Sequence, residues 1–127
     1  MQTYAGGCHC GLVRFRVEID GDAREAIDCN CSICRKKGIL HVIVPKERFT
    51  ILAGKDALTT YRFNTGVAQH MFCKHCGVHA FYVPRSDPDK IDVNVRRLDG
   101  IDVDAIEVKA FDGKNWEEAI EKDVPWR

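Results

Sequence analysis

The sequence lacks any apolar run of the about 18 residues that a membrane-spanning helix needs. It lacks net charge, because 19 Lys and Arg balance 19 Asp and Glu. Sequence-independent nucleic-acid binding requires a clear basic excess, so that class is excluded along with the membrane. The start, Met1 to Gly7, has neither the basic nor the apolar region of a leader, so the expected location is cytoplasmic. No repeat, low-complexity tract or linker rich in Pro, Gly or Ser divides the chain. Its 127 residues are therefore expected to form a single domain, 1–127. Helix signals are also scarce. Asn115, placed as a cap, and Glu117 and Glu118 in a first turn predict one short C-terminal helix over Trp116 to Lys122. Ser32 to Lys37 predicts a single further helical turn.

What remains is mostly strand. Val13, Phe15, Val17 and Ile19 alternate with Arg14, Arg16 and Glu18, the period of a half-buried strand. Ile39 to Val44, Thr59 to Phe63, Val67 to Phe72 and Val78 to Val83 are short β-forming runs. Ile91, Val93 and Val95 alternate with Asp92, Asn94 and Arg96, and Ile106 to Ala110 precedes an Asp112-Gly113 turn. The fold class is mainly β.

The chain is rich in cysteine, with seven in three groups: Cys8-His9-Cys10, Cys29-Asn30-Cys31-Ser32-Ile33-Cys34 and Cys73-Lys74-His75-Cys76. In a reducing compartment, grouping of this kind points to metal rather than to disulfides. The Cys-x-Cys and Cys-x-x-Cys pairs can each supply one edge of a tetrahedron, so Cys8, Cys10, Cys73 and Cys76 make a closed structural zinc site. Gly11 and Gly77 follow the two pairs, where positive φ lets the chain leave the metal. The 62 residues between the pairs far exceed a zinc-ribbon spacing, so the site clasps an inserted β-unit. Sites of this type are worth about 10–16 kcal/mol in zinc-finger peptides.

Cys29, Cys31 and Cys34 remain. Three protein ligands with one position left for water or substrate is the pattern of a catalytic zinc. Three thiolates give such a centre a net negative charge, which nearby cations must offset to admit an anion. Arg35-Lys36-Lys37 follows the last ligand and is the candidate substrate-binding cluster. Two alternatives stay open: those cations form only a solvated turn, or a histidine, His41 first among them, closes the site. His9, His70, His75 and His79 are candidates for groups behind the ligands, and Arg85 for binding a carboxylate. A c-type haem is excluded because Gly77, not His, follows Cys76. A thioredoxin-like redox pair is excluded because the βαβ setting is missing.

With these motifs in view, the chain resembles a known family. "GGCHCG" at Gly6 to Gly11, "CNCSIC" at Cys29 to Cys34 and "FCKHCG" at Phe72 to Gly77 resemble the three cysteine motifs of the glutathione-dependent formaldehyde-activating enzymes. "DCNCSICRKKG", "HVIVPKERF", "TTYRFNT", "AQHMFCKHCGVHAFYVPRS" and "NWEEA" are especially similar to the centromere protein V core domain. The resemblance implies an Mss4-like fold of several coiled antiparallel β-sheets around zinc. It implies two zinc ions, one on Cys8, Cys10, Cys73 and Cys76, the other a catalytic one on Cys29, Cys31 and Cys34. It also implies a carbon–sulfur lyase activity, the reversible joining of formaldehyde to glutathione. The partners are then a small thiol and an aldehyde. A non-catalytic, zinc-stabilised protein-binding module is the alternative. The sequence leaves the oligomeric state open.

Overall fold

The structure of the protein is a computed structural model that describes residues 1–19 and 25–122. Strand β2 (Arg14–Ile19) keeps its alternation: Phe15 and Val17 are fully buried, whereas Arg16 and Glu18 are exposed. It lies between β1 (Gln2–Gly7) and β5 (Phe49–Ala53) in a three-stranded antiparallel sheet. The Phe15 ring stacks on Phe49 at 5.2 Å and meets Phe81 edge-on at 5.8 Å, with Phe49 and Phe81 4.7 Å apart. These three rings join the small sheet to the larger one. Truncating a ring at the centre of such a cluster costs about 3–5 kcal/mol.

The larger sheet has the order β10 (Glu107–Phe111), β3 (Glu25–Cys29), β4 (His41–Pro45), β9 (Lys90–Asn94), β8 (Phe81–Tyr82). A separate two-stranded ladder pairs β6 (Leu58–Tyr61) with β7 (His70–Cys73). The mainly β architecture is the expected one, with one departure from antiparallel pairing. The edge strand β10 runs parallel to β3, and Phe111 sits opposite Cys29. Parallel strands deliver their following loops to the same end of a sheet. The segment after Phe111 therefore emerges beside the cysteines that follow β3.

Strand β9 departs from its apparent period. Its polar positions are as buried as its apolar ones: Asp92 and Asn94 are 2% and 1% exposed. They are tolerated because they are bonded. The Asn94 side chain accepts from the backbone N–H of Leu40 (3.3 Å) and of Arg96 (3.2 Å), and donates to the His79 carbonyl (3.3 Å). Asp92 pairs with His41 on the neighbouring strand. A strand in mid-sheet has no solvent face here, because one side lies on the core and the other lines a cavity.

Two short helices complete the described residues. Helix α1 (Ser32–Lys37) ends at Gly38, whose φ of 66° lets its N–H return to the Cys34 carbonyl at 3.0 Å. Helix α2 (Trp116–Lys122) has the expected bounds. Asn115, expected as its cap, closes a 3-10 turn and donates its side-chain amide to Asp112 at 2.9 Å. The Val78 to Val83 run forms a strand only over Phe81–Tyr82, with Val83 making an isolated antiparallel bridge to Gln69. Its first residues serve the preceding cysteine turn, with the Cys73 N–H donating to the Val78 carbonyl at 3.2 Å.

Candidate active site and metal centres

The fold brings the cysteines together in the two sets that spacing indicates. Cys8, Cys10, Cys73 and Cys76 offer four sulfurs within 4.8 Å of one another, and Cys29, Cys31 and Cys34 offer three. In the first set the Cys8–Cys10 and Cys10–Cys73 sulfur separations are 3.6 and 3.7 Å. Zinc–sulfur bonds of about 2.3 Å in a tetrahedron place sulfurs about 3.8 Å apart, so this set is already shaped for zinc. Gly11 (φ 81°) and Gly77 (φ 77°) carry the chain away from the pairs in the left-handed conformation. The Gly77 N–H closes its turn onto the Cys73 carbonyl at 2.7 Å. Both clusters could hold a metal ion, and their sulfur donor sets suit zinc.

The three-cysteine set spans the end of β3 and the first turn of α1. Asn30, between two of the cysteines, fastens the parallel C-terminal segment to it. The Asn30 N–H donates to the Phe111 carbonyl (3.2 Å), its amide to Asp112 (3.0 Å), and its side-chain oxygen accepts from the Lys114 N–H (2.9 Å). Gly113 then passes so close that a Cβ there would lie 2.3 Å from the Cys29 sulfur and 2.9 Å from the Cys31 Cβ. Three thiols this close cannot ionise independently. Hydrogen bonds from Cys29 and Cys34 hold the Cys31 thiol far below its ordinary pKa, while the bonds to Cys31 and Cys29 push Cys29 and Cys34 up. Only a bound cation allows all three to act as thiolates together.

A cavity of about 360 Å³ opens onto these cysteines. Among the described residues no fourth Cys, His, Asp or Glu lies within 4.8 Å of all three sulfurs. His41, the sequence suspect for closing the site, lines the cavity but is engaged elsewhere. Its Nδ1 donates to Asp92 Oδ2 at 2.8 Å, and the Tyr82 hydroxyl lies 3.2 Å from the same nitrogen. Its Nε2 is buried without a hydrogen-bond partner among the described residues. Burial pulls the His41 pKa down, but the charge and hydrogen bond of Asp92 outweigh it and raise the net value. The register explains the pairing: His41 lies opposite Asn94, with Asp92 two residues along β9, and Tyr82 on β8 pairs with Asp92.

Behind this dyad the rings stack. His70 lies on Tyr82 at 4.8 Å and 14°, and His79 meets Tyr82 edge-on at 5.2 Å. Burial lowers both histidine pKa values, that of His79 to about 3, and Lys37 adds to the effect. His9 and His75 are exposed. The candidate cations Arg35, Lys36 and Lys37 form the last turn of α1, and none of them lines the cavity. Lys37 sits 4.9 Å over the Phe72 ring. Among the described residues, Arg85 and Lys114 are the Lys and Arg side chains on the cavity wall. Sequence reasoning singled out Arg85 but passed over Lys114, Gly113, Asp92 and Tyr82. The Gly-Lys-Asn turn beside Trp116 was the available signal for the C-terminal part, while the His41–Asp92 pair left none.

The family model of the glutathione-dependent formaldehyde-activating enzymes matches residues 3–112. The chain belongs to this family. A putative glutathione-dependent formaldehyde-activating enzyme of Pyrenophora teres f. teres is 31% identical over 86 residues, which cover 62% of this chain and 45% of that protein. The chain thus matches less than half the length of this curated relative. A crystal structure of a Rhodobacter sphaeroides protein superposes with a TM-score of 0.77 at 36% identity, over 84% of this chain and 98% of that one. For this family member, the Mss4-like, mainly β fold implied by the cysteine motifs is the fold observed. No helix among the described residues is long and apolar enough to cross a membrane.

Proposed function

We propose that the chain, as one zinc-binding domain, is a carbon–sulfur lyase that reversibly joins formaldehyde to glutathione at Cys29, Cys31 and Cys34. The observation that carries this reading is the three-cysteine cluster at the floor of a cavity, with no fourth ligand within 4.8 Å among the described residues. Cys8, Cys10, Cys73 and Cys76 hold a second, structural zinc. Zinc on three thiolates supplies a binding position that favours the thiolate form of an incoming thiol.

The chain's own residues handle the proton. Joining a thiol to formaldehyde breaks the S–H bond, forms a C–S bond and turns the carbonyl into a hydroxyl, with no net gain or loss of protons. Among the described residues two histidines line the cavity, and His41, whose basicity Asp92 raises while burial lowers that of His70, takes the thiol proton on Nε2 and returns it to the new oxygen. Asp92 keeps the opposite ring nitrogen protonated and fixes the ring. Phe63, Phe111 and Trp116 surround the site with apolar surface that limits water. A zinc-stabilised binding module has no use for a buried Asp–His pair facing a cavity, and this favours the enzyme.

The reaction also proceeds without catalyst, so the test is exchange between formaldehyde and S-hydroxymethylglutathione measured by NMR above that background. The zinc protein should raise the rate, Cys31→Ser should abolish the gain, and His41→Gln should lower kcat more than KM. No rate above background refutes the assignment.

A further inference from the structure

The cavity carries a second feature that the metal chemistry does not use. Arg85 follows Pro84 on one wall, and its guanidinium lies 3.9 Å from the ring centroid of Trp116, the first residue of α2. One of its nitrogens donates to Glu117 Oε1 at 3.0 Å. Trp116 in turn packs against the small apolar cluster that contains Cys29 and Cys34. The guanidinium is thus held over an indole that itself packs against the cluster of the metal-binding cysteines. Both Arg85 and Trp116 line the cavity.

A guanidinium fixed in this way is prepared for a planar anion. It has five donors in a rigid fork, matches a carboxylate with two parallel bonds, and loses little entropy when it is already stacked. Glu117 is a weak competitor, because its side chain is 84% exposed and surface ion pairs are worth only about 0–1 kcal/mol. Lys114 adds a second positive charge to the same wall, its backbone pinned by Asn30. Among the described residues, the carboxylate on the cavity wall is that of Asp92, and it is engaged with His41. The cavity is therefore cationic beyond the cysteines and suits a ligand with negative charge remote from its sulfur.

We infer that Arg85, stacked on Trp116, is the carboxylate-recognition group of the cavity and selects anionic thiols over neutral ones. This inference rests on the proposed thiol chemistry at Cys29, Cys31 and Cys34 and adds the specificity of that site.

The test uses cobalt-substituted protein, in which a sulfur ligand entering the three-cysteine site gives a new charge-transfer band. Glutathione, its diethyl ester and 2-mercaptoethanol are titrated against wild type, Arg85→Gln and Arg85→Lys. Wild type should bind glutathione at least about tenfold more tightly than the diester, in line with a charge-assisted pair. Arg85→Gln should remove that preference by weakening glutathione alone, and Arg85→Lys should restore only part of it. An unchanged diester affinity shows that the variants are folded. Equal wild-type affinities for acid and ester, equal weakening of both by Arg85→Gln, or a Lys variant that matches wild type overturns the inference. If 2-mercaptoethanol gives the band while glutathione has no advantage, the inference fails and the metal-site reading stands. If no thiol gives the band, both fail.

Discussion

Gly113 and Cys29 are in direct apposition although 84 positions separate them in the chain, and a Cβ on Gly113 would lie 2.3 Å from the Cys29 sulfur. The parallel pairing of β10 with β3 creates this contact, and the Asn30 hydrogen bonds hold it. Gly113→Ala should therefore push Cys29 out of the cluster. The expected result is loss of the metal on Cys29, Cys31 and Cys34 with the metal on Cys8, Cys10, Cys73 and Cys76 retained, read as metal per chain by native mass spectrometry. Full metal content in the variant contradicts the contact.

The two cysteine sets should respond differently to loss of one sulfur. Cys73 is fully buried and joins segments far apart in sequence, so Cys73→Ser should unfold or precipitate the protein. Cys31→Ser should keep a near-wild-type far-UV circular dichroism spectrum while losing the activity. Indistinguishable thermal melts for the two variants contradict separate structural and catalytic roles. Along a chelator titration of wild type, the three-cysteine metal should leave first, because an open position admits the competitor.

Acid sensitivity has an identifiable source in His79. Burial lowers its pKa to about 3, so in the fold it stays neutral while an unfolded chain takes up a proton below about pH 6.5. The unfolded state then binds more protons across that window, and stability falls as pH drops through it. From pH 7 to 5 the loss from this one group is about 2 kcal/mol. Denaturant melts of His79→Phe at the two pH values should show a pH dependence smaller by about that amount. An unchanged pH dependence contradicts the assignment.

The cysteine sets and most strands were legible in the sequence because their signals are local. Cys-x-Cys and Cys-x-x-Cys fix ligand geometry within a turn, and the alternation from Val13 to Ile19 fixes a buried face within one strand. Asp92 and Asn94 mark the limit of such local signals. Polar residues at alternate positions read as solvent-facing, yet here that face meets His41, Tyr82 and a cavity. The parallel return of β10 depends on a pairing between residues 25–29 and 107–111, which no local pattern announces. It also decides which cations reach the cavity. Arg35, Lys36 and Lys37 are adjacent to Cys34 in sequence, but Lys114, brought in by β10, and Arg85, following β8, line the wall.

The open coordination position on Cys29, Cys31 and Cys34 is the central claim, and zinc K-edge X-ray absorption of zinc-loaded protein tests it most directly. One site with four sulfurs and one with three give an average below four sulfurs per zinc, with a lighter atom completing the second site. Adding glutathione should raise the average to four as its sulfur enters. An average of four before glutathione is added, or no change on adding it, contradicts the open site and the thiol chemistry built on it.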